Sequence, residues 1–253
     1  MQQASHRTSV RGPTFIRLLA RLTDVDVSPS RQSLSDRLGQ WLDWTHAVAL
    51  STTLDGKSSE AGVDAPTFGS AEEDECARVR RSLVSAIAGD GTFSTSRQRG
   101  VEHALTGEDG ANEAVDYSVF RQCYLAIQRS MQAATGNLRG RLRDMLAQKT
   151  ADMARLADVD AVMERVLSPR EQALLAHVPA LLGDHFERLR QAEQKALAEA
   201  QVAEVVPAIT PGAWLDVFRQ DVQSVLLAEL DVRFHPVDGL LAALRATSLR
   251  NHV

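Results

Sequence analysis

The feature that most constrains the fold is a run of apolar residues that recur every three or four positions between residues 120 and 166. Its members are Phe120, Tyr124, Ile127, Met131, Ala134, Leu138, Leu142, Met145, Met153, Leu156, Val159, Met163 and Val166. This spacing is typical of an α-helix with one apolar face. No segment of useful length alternates with a period of two, so no sheet is expected. The sequence therefore predicts an all-α fold.

The same pattern predicts that this region folds back on itself. Ser168, Pro169 and Glu171 match an N-cap serine, a proline in the first helical position and the glutamate of a capping box. A second helix is therefore predicted to begin at Pro169, with a kink near Leu175 to Pro179 because Pro179 lacks the backbone donor. Two helices joined by almost no loop should form a long antiparallel, coiled-coil-like hairpin over residues 113–205.

Composition and patterning divide the chain into four regions. Residues 54–112 form an acidic, linker-rich region with one short helix over about 70–88. Runs rich in Gly, Ser, Thr and Asp predict mobile linkers over residues 54–70 and 89–112 that are dispensable for folding. The carboxyl-terminal region should contain a helix that ends at Pro236 and a short last helix. Residues 1–53 form an amino-terminal helical segment and residues 113–205 form the hairpin. Residues 206–253 form carboxyl-terminal helices that pack on the hairpin.

The amino-terminal segment carries the candidate partner-binding residues. A first short helix places Phe15 and Leu19 on its apolar side, and a second helix is expected to carry both Trp41 and Trp44. Trp41 lies at the centre of the apolar stripe and is expected to dock on the hairpin. Trp44 lies about 60° around the helix from that stripe. It is the better candidate for a partner contact, because aromatic side chains anchor many protein interfaces.

The charge distribution argues against a dedicated nucleic-acid binder. The chain has 33 acidic and 28 basic side chains, a net charge of −5, whereas binding to phosphates requires a concentrated basic face. Arg139, Arg141 and Arg143 are followed at once by acidic residues, so we interpret them as part of a mixed, solvated helix face. A nucleic-acid-associated or regulatory binding module that uses this face is an alternative function.

No local motif gathers catalytic or metal-binding chemistry. The histidines are scattered. The best patterns are Asp43 with His46 at one-turn spacing, and His177 with His185 and Asp184, and a two-ligand helical pair lacks the three or four ligands that zinc needs. The two cysteines fall on apolar stripes, where a thiol is a weak nucleophile. Serine-hydrolase and phosphate-loop motifs are absent from the sequence. We therefore expect no catalytic residue, cofactor or metal, with an enzyme assembled from sequence-distant residues as a further alternative.

The sequence also suggests a compartment. The first apolar cluster, Phe15 to Leu22, is interrupted by Arg17 and Arg21 and is shorter than a membrane span. No targeting segment is recognised, and two cysteines are too few for a disulfide framework. The expectation is a cytoplasmic protein with no transmembrane segment.

Three stretches of packing residues resemble an uncharacterised proteobacterial family of unknown function. They are Gly12 to Val25, then Ser33 to Leu38 with Trp41 and Trp44, and Leu227 to Leu230 followed by Gly239 to Arg245. The likeness covers nearly the whole chain and contains no catalytic motif. It implies an accessory role at a bacterial cell-envelope motor-like complex. We therefore expect a non-enzymatic helical scaffold or adaptor that binds a protein partner, with homo-oligomerisation as an alternative.

Overall fold

A computed structural model describes residues 14–24, 32–55, 70–94, 116–202 and 212–250. These ranges contain eight helices and no strand, so the all-α fold is confirmed for them. The helices are α1 Thr14–Thr23, α2 Leu34–Trp41, α3 Trp44–Asp55, α4 Ser70–Gly89, α5 Tyr117–Ala147, α6 Ala151–Leu175, α7 Val178–Val202 and α8 Ala213–Arg250.

The single helix expected to carry both tryptophans is two helices. A capping box formed by Ser33 and Asp36 begins α2. The backbone at Leu42 is then extended, with φ −83° and ψ 107°. Asp43 begins α3, since its Oδ1 accepts the backbone N–H of His46 at 2.8 Å. An aspartate is favoured at such a cap and disfavoured in a helix interior, which accounts for the break.

Two prolines that were predicted to mark helix boundaries lie inside helices. Pro169 is in the interior of α6 and Pro236 is in the interior of α8. The predictions of a helix start at Pro169 and of a helix end at Pro236 are therefore wrong. Buried apolar side chains flank both prolines: Val166 and Leu175 in α6, and Phe234 and Val237 in α8. Their packing holds each helix together across the missing hydrogen bond.

The chain reverses direction between α5 and α6 instead of at Ser168. The hydroxyl of Thr150 accepts the backbone N–H of Met153 at 3.3 Å and caps α6. Arg139 on α5 contacts Asp160 on α6, with Nη2 2.7 Å from Oδ1. Because only a short turn separates the two helices, this contact makes them antiparallel neighbours. The next break follows Leu175, inside the interval where a kink was predicted.

The chain divides into two compact units, each built from three separate segments. The described residues of unit 1 come from Met1–Pro29, Val84–Gln128 and His177–Glu229, and those of unit 2 from Ser30–Leu83, Arg129–Ala176 and Leu230–Val253. In unit 1, α1 packs on α7; in unit 2, α3 packs on α6. The short amino-terminal helices thus pack on long ones.

Unit 1 is centred on a cluster of aromatic rings. Phe218 lies 5.2 Å from Phe120 and 5.1 Å from Phe186, and Phe186 lies 4.8 Å from Trp214, between ring centroids. Phe93 joins the cluster through Phe120, at 6.2 Å. Phe93 and Ser94 are buried, so the prediction that this end of the linker is mobile is wrong for these two residues. Leu54 and Asp55 end α3 and Ser70 begins α4, whereas residues 56–69 and 95–112 of the two predicted linkers lie outside the described residues.

Candidate partner-binding surface

Helix α3 packs on α6 through one side, whose residues are half-buried. His46, Ala49, Leu50 and Thr53 are partly covered and share that side, three and four residues apart. None of the residues of α3 is fully buried. The helix is therefore held on α6 by one face, and the opposite face is left open.

The open face of α3 begins with a tryptophan. Trp44 is 83% exposed and Val48 is 45% exposed, and Ala47, Ser51 and Asp55 are exposed on the same side. These five residues, here called the Trp44 face, follow the i, i+3, i+4, i+7 spacing of a helix-docking stripe. They extend about 16 Å along the helix at 1.5 Å per residue.

The Trp44 face is apolar in the middle and acidic towards its two ends. Asp43, just before α3, has 63% of its side chain exposed, and Asp55 ends the helix, where its Oδ2 accepts the hydroxyl of Ser51 at 3.1 Å. No Lys or Arg occurs between Arg37 and Lys57. The carboxylates of Asp43 and Asp55 are therefore the charged groups that this stretch contributes next to the Trp44 face.

Trp41 has a different environment from Trp44. It is half-buried, and the guanidinium of Arg170 lies over its ring, 5.6 Å from the centroid. The carbonyl oxygen of Trp41 also accepts a hydrogen bond from Nη2 of Arg170, at 3.1 Å. Trp41 thus contacts α6 and anchors the end of α2, whereas Trp44 begins a new helix and is largely exposed.

The other two candidate residues are in unit 1. Phe15 is only 6% exposed and Leu19 is half-buried on α1. Arg188 on α7 donates a hydrogen bond to the carbonyl oxygen of Leu22, which holds α1 in place. Burial removes Phe15 from the expected partner surface, because its side chain packs in the core of its unit. Of the four candidates, Trp44 alone is largely exposed.

The arginines interpreted as a solvated face are mostly engaged in ion pairs. Arg139 and Arg143 contact both Asp160 and Glu164, and all four side chains are largely buried. Arg141 pairs with Glu75 on α4 at 2.7 Å, and this contact lowers the pKa of the Glu75 carboxyl. The partners come from helices distant in sequence, so sequence spacing could not identify them.

The described histidines and cysteines form no metal site. His185 pairs with Asp221, with Nε2 2.9 Å from Oδ2, instead of with its sequence neighbours. The thiol of Cys123 lies 3.0 Å from Oδ2 of Asp90. Burial, followed by that contact, raises its pKa to about 12. Within the described ranges, no three His, Cys, Asp or Glu side chains could hold a metal ion together.

The comparisons with known proteins identify a family for this chain and no activity. None of the described helices is long and apolar enough to cross a membrane. No curated protein and no solved structure matches the chain. One family model, described as "Protein of unknown function (DUF3348)", matches residues 1–246, and this confirms the resemblance to an uncharacterised family. Because the match covers nearly the entire sequence, the chain belongs to the DUF3348 family.

Proposed function

We propose that this protein is a non-enzymatic helical adaptor, and that the Trp44 face binds a basic amphipathic helix of a partner protein. The observation that carries the proposal is the 83% exposure of Trp44. An indole ring buries a large apolar area with only two side-chain torsions to fix, and tryptophan is enriched among residues that dominate binding energy. Because Trp44 is exposed, a partner that covers its ring would gain the binding free energy of burying it.

The shape of the surface favours a helix as the occupant. Along the helix, the small residue Ala47 lies between Trp44 and Val48, and the small residue Ser51 lies between Val48 and Asp55. Small side chains let a second helix approach closely, and the stripe has the spacing that a helix-in-groove contact uses. A partner helix would place its apolar face against Trp44 and Val48.

The charge of the surface favours a basic partner. Lys or Arg residues near the ends of the partner's apolar stripe would meet Asp43 and Asp55, with no basic side chain of α2 or α3 after Arg37 to oppose them. Such complementary charges increase the association rate and select the partner. Proteins of a bacterial cell-envelope motor-like complex are the first partners to test, since the sequence resemblance implies that role.

The test is affinity purification of the full chain from its host, followed by titration of a synthetic peptide from the captured protein. The expected partner segment is a basic amphipathic helix. Trp44→Ala should weaken its binding by about thirtyfold, the effect of a 2 kcal/mol anchor. Asp55→Lys should weaken it several-fold, more at low salt than at high salt.

Val202→Ala is the matched control, because Val202 is also a highly exposed apolar residue but lies on α7. It should bind the peptide like the wild type, and circular dichroism should show equal helix content in all variants. Unchanged peptide affinity in Trp44→Ala would contradict the proposal. If the purified protein captures no partner but self-associates, and Trp44→Ala abolishes this self-association, the Trp44 face is a homo-oligomer interface and the adaptor proposal is wrong.

A further inference from the structure

An exposed leucine lies at the end of α6, in the same unit as the Trp44 face. Leu174 is 68% exposed, and among the large apolar side chains described in unit 2 only Trp44 is more exposed. Helix α6 ends at the next residue, Leu175, which is buried. The last turn of α6 is therefore fixed to the unit on one side and presents Leu174 to solvent on another.

The contacts of Arg170 locate Leu174 next to the start of α3. Arg170 and Leu174 are four residues apart on α6, so they lie on the same face, about 6 Å apart along the helix. The guanidinium of Arg170 contacts the ring and the carbonyl oxygen of Trp41, and Trp44 follows three residues later. Leu174 is therefore one helical turn from the residue that anchors the chain just before the Trp44 face.

Helix α3 is directed from this anchor towards the start of α6. It contains 12 residues and packs on α6, and a helix of this length extends about 18 Å. Helix α6 ends at Leu175, only about 8 Å beyond Arg170. Because that distance is too short for α3, the two helices are antiparallel. Leu174 thus lies beyond the Trp44 end of the Trp44 face and lengthens the apolar surface from about 16 Å to about 22 Å.

The position of Leu174 distinguishes it from an isolated exposed leucine. Single apolar side chains are common on protein surfaces, whereas neighbouring exposed apolar side chains mark interaction sites. Leu174 and Trp44 are the two most exposed large apolar side chains described in unit 2, and both adjoin the contact between Arg170 and Trp41. They belong to different helices, so a partner that covers both contacts α3 and α6 at once.

We infer that Leu174 is a second anchor for the partner helix that the Trp44 face binds. The inference rests on the function proposed above and extends it, because the docking surface then comprises α3 and the last turn of α6. A surface of about 22 Å takes a helix of about 15 residues. Helices that dock in this way use several apolar anchors at helical spacing, and burial of the Leu174 side chain adds affinity in proportion to the apolar area covered.

The charges along this surface indicate where the partner is basic. The side chains that adjoin the two tryptophans at the Leu174 end have opposite charges, Arg170 and Asp43, and offset each other. The carboxylate of Asp55 lies at the other end of the Trp44 face. The basic residues of the partner are therefore expected opposite Asp55, and the segment that covers Leu174 is expected to be apolar.

The test is titration of the full chain into a fluorescently labelled peptide of about 18 residues, followed by anisotropy. The peptide carries leucines three and four residues apart and lysines on the polar face of one half, and it should bind saturably below about 100 μM. Leu174→Ala should weaken binding about fivefold. Leu174→Met should retain most of the affinity, because methionine has a similar apolar volume. A peptide with glutamate in place of each lysine should bind several-fold more weakly.

Leu227→Ala is the matched control, because Leu227 is an exposed leucine on α8 in unit 1. It should bind the lysine peptide like the wild type, with equal helix content by circular dichroism in all variants. If Trp44→Ala weakens binding but Leu174→Ala behaves like Leu227→Ala, the inference about Leu174 is overturned and the proposed function stands. If the lysine peptide does not bind, or binds Trp44→Ala as tightly as the wild type, the proposed function fails and this inference fails with it.

Discussion

The guanidinium of Arg170 covers the indole ring of Trp41 and bonds its carbonyl oxygen, so one side chain fixes both the side chain and the backbone of another residue. The bonded carbonyl lies at the last residue of α2, where helix carbonyls lack partners within the helix. The contact therefore joins the end of α2 to α6. The cap of α3, Asp43, follows two residues after this anchored carbonyl, and Trp44 comes next.

Removing that guanidinium should loosen α2. Arg170→Ala is expected to lower the free energy of unfolding by about 1 kcal/mol, the sum of a half-exposed cation–π contact and one hydrogen bond. Tryptophan fluorescence should shift to longer wavelength as Trp41 becomes wetter. Arg170→Lys should recover part of the loss, since it retains the charge but not the planar group. Arg190→Ala is the control, because Arg190 is an exposed arginine on α7. If it changes stability and fluorescence as much as Arg170→Ala does, the contact between Arg170 and Trp41 has no specific contribution.

Removing a buried hydrogen bond in unit 1 should lower the free energy of unfolding more than removing the Arg170 contact does. The hydroxyl of Tyr124 donates to Oε2 of Glu229 at 2.6 Å, and the amide of Gln128 donates to the same carboxyl group at 3.1 Å. Glu229 is fully buried. Tyr124→Phe is expected to lower the free energy of unfolding by about 1–3 kcal/mol, measured by urea denaturation, because a buried polar group loses a donor.

Ser224→Ala is a suitable comparison for Tyr124→Phe, because among the described residues the Ser224 hydroxyl bonds only the carbonyl of Gln220, on its own helix. It should change the unfolding free energy by less than about 1 kcal/mol. Equal losses in the two variants would mean that the Tyr124 hydrogen bond has no special weight.

The interior prolines give a prediction with two opposing contributions. Pro169→Ala restores a backbone donor for the carbonyl of Arg165, which should stabilise α6 by about 3 kcal/mol. The variant also makes the unfolded chain more flexible, which offsets about 1 kcal/mol. The expected result is a more stable protein, by about 2 kcal/mol in urea denaturation. A loss of stability would show that packing around the proline ring, and not the missing hydrogen bond, dominates at this position.

Stability should decline in alkaline solution. The pKa of the Cys123 thiol is raised from 9.0 to about 12 by burial and then by Asp90, and burial raises the pKa of Tyr117 from 10.0 to about 12. The unfolded chain therefore releases these protons at lower pH than the folded chain. Because the folded state then binds more protons, the free energy of unfolding should fall between about pH 9 and pH 12.

Cys123→Ser isolates the contribution of the thiol, since a serine hydroxyl can still bond Asp90 but does not titrate in this range. The variant should show a shallower decline of unfolding free energy above pH 9 than the wild type. Parallel curves for the two proteins would assign the alkaline loss to other groups, Tyr117 among them.

Helices with a clear cap or a regular stripe could be predicted from the sequence, while their boundaries at prolines could not. The helix predicted over about 70–88 is present as Ser70–Gly89. Pro169 and Pro236 instead lie inside helices, because buried neighbours on both sides stabilise the helix more than one missing hydrogen bond destabilises it. The local sequence shows where a proline stands, but it does not show which distant side chains pack around it.

The sequence by itself determined the all-α fold and the presence of an apolar stripe around the tryptophans, because the helical period depends only on the order of residues. Tertiary structure decided which of these side chains is exposed. Arg170 comes from a helix far along the chain to cover Trp41, and Phe15 is buried where α1 packs on α7, whereas Trp44 stays largely exposed. Exposure depends on contacts between distant segments, and those contacts form only when the chain packs.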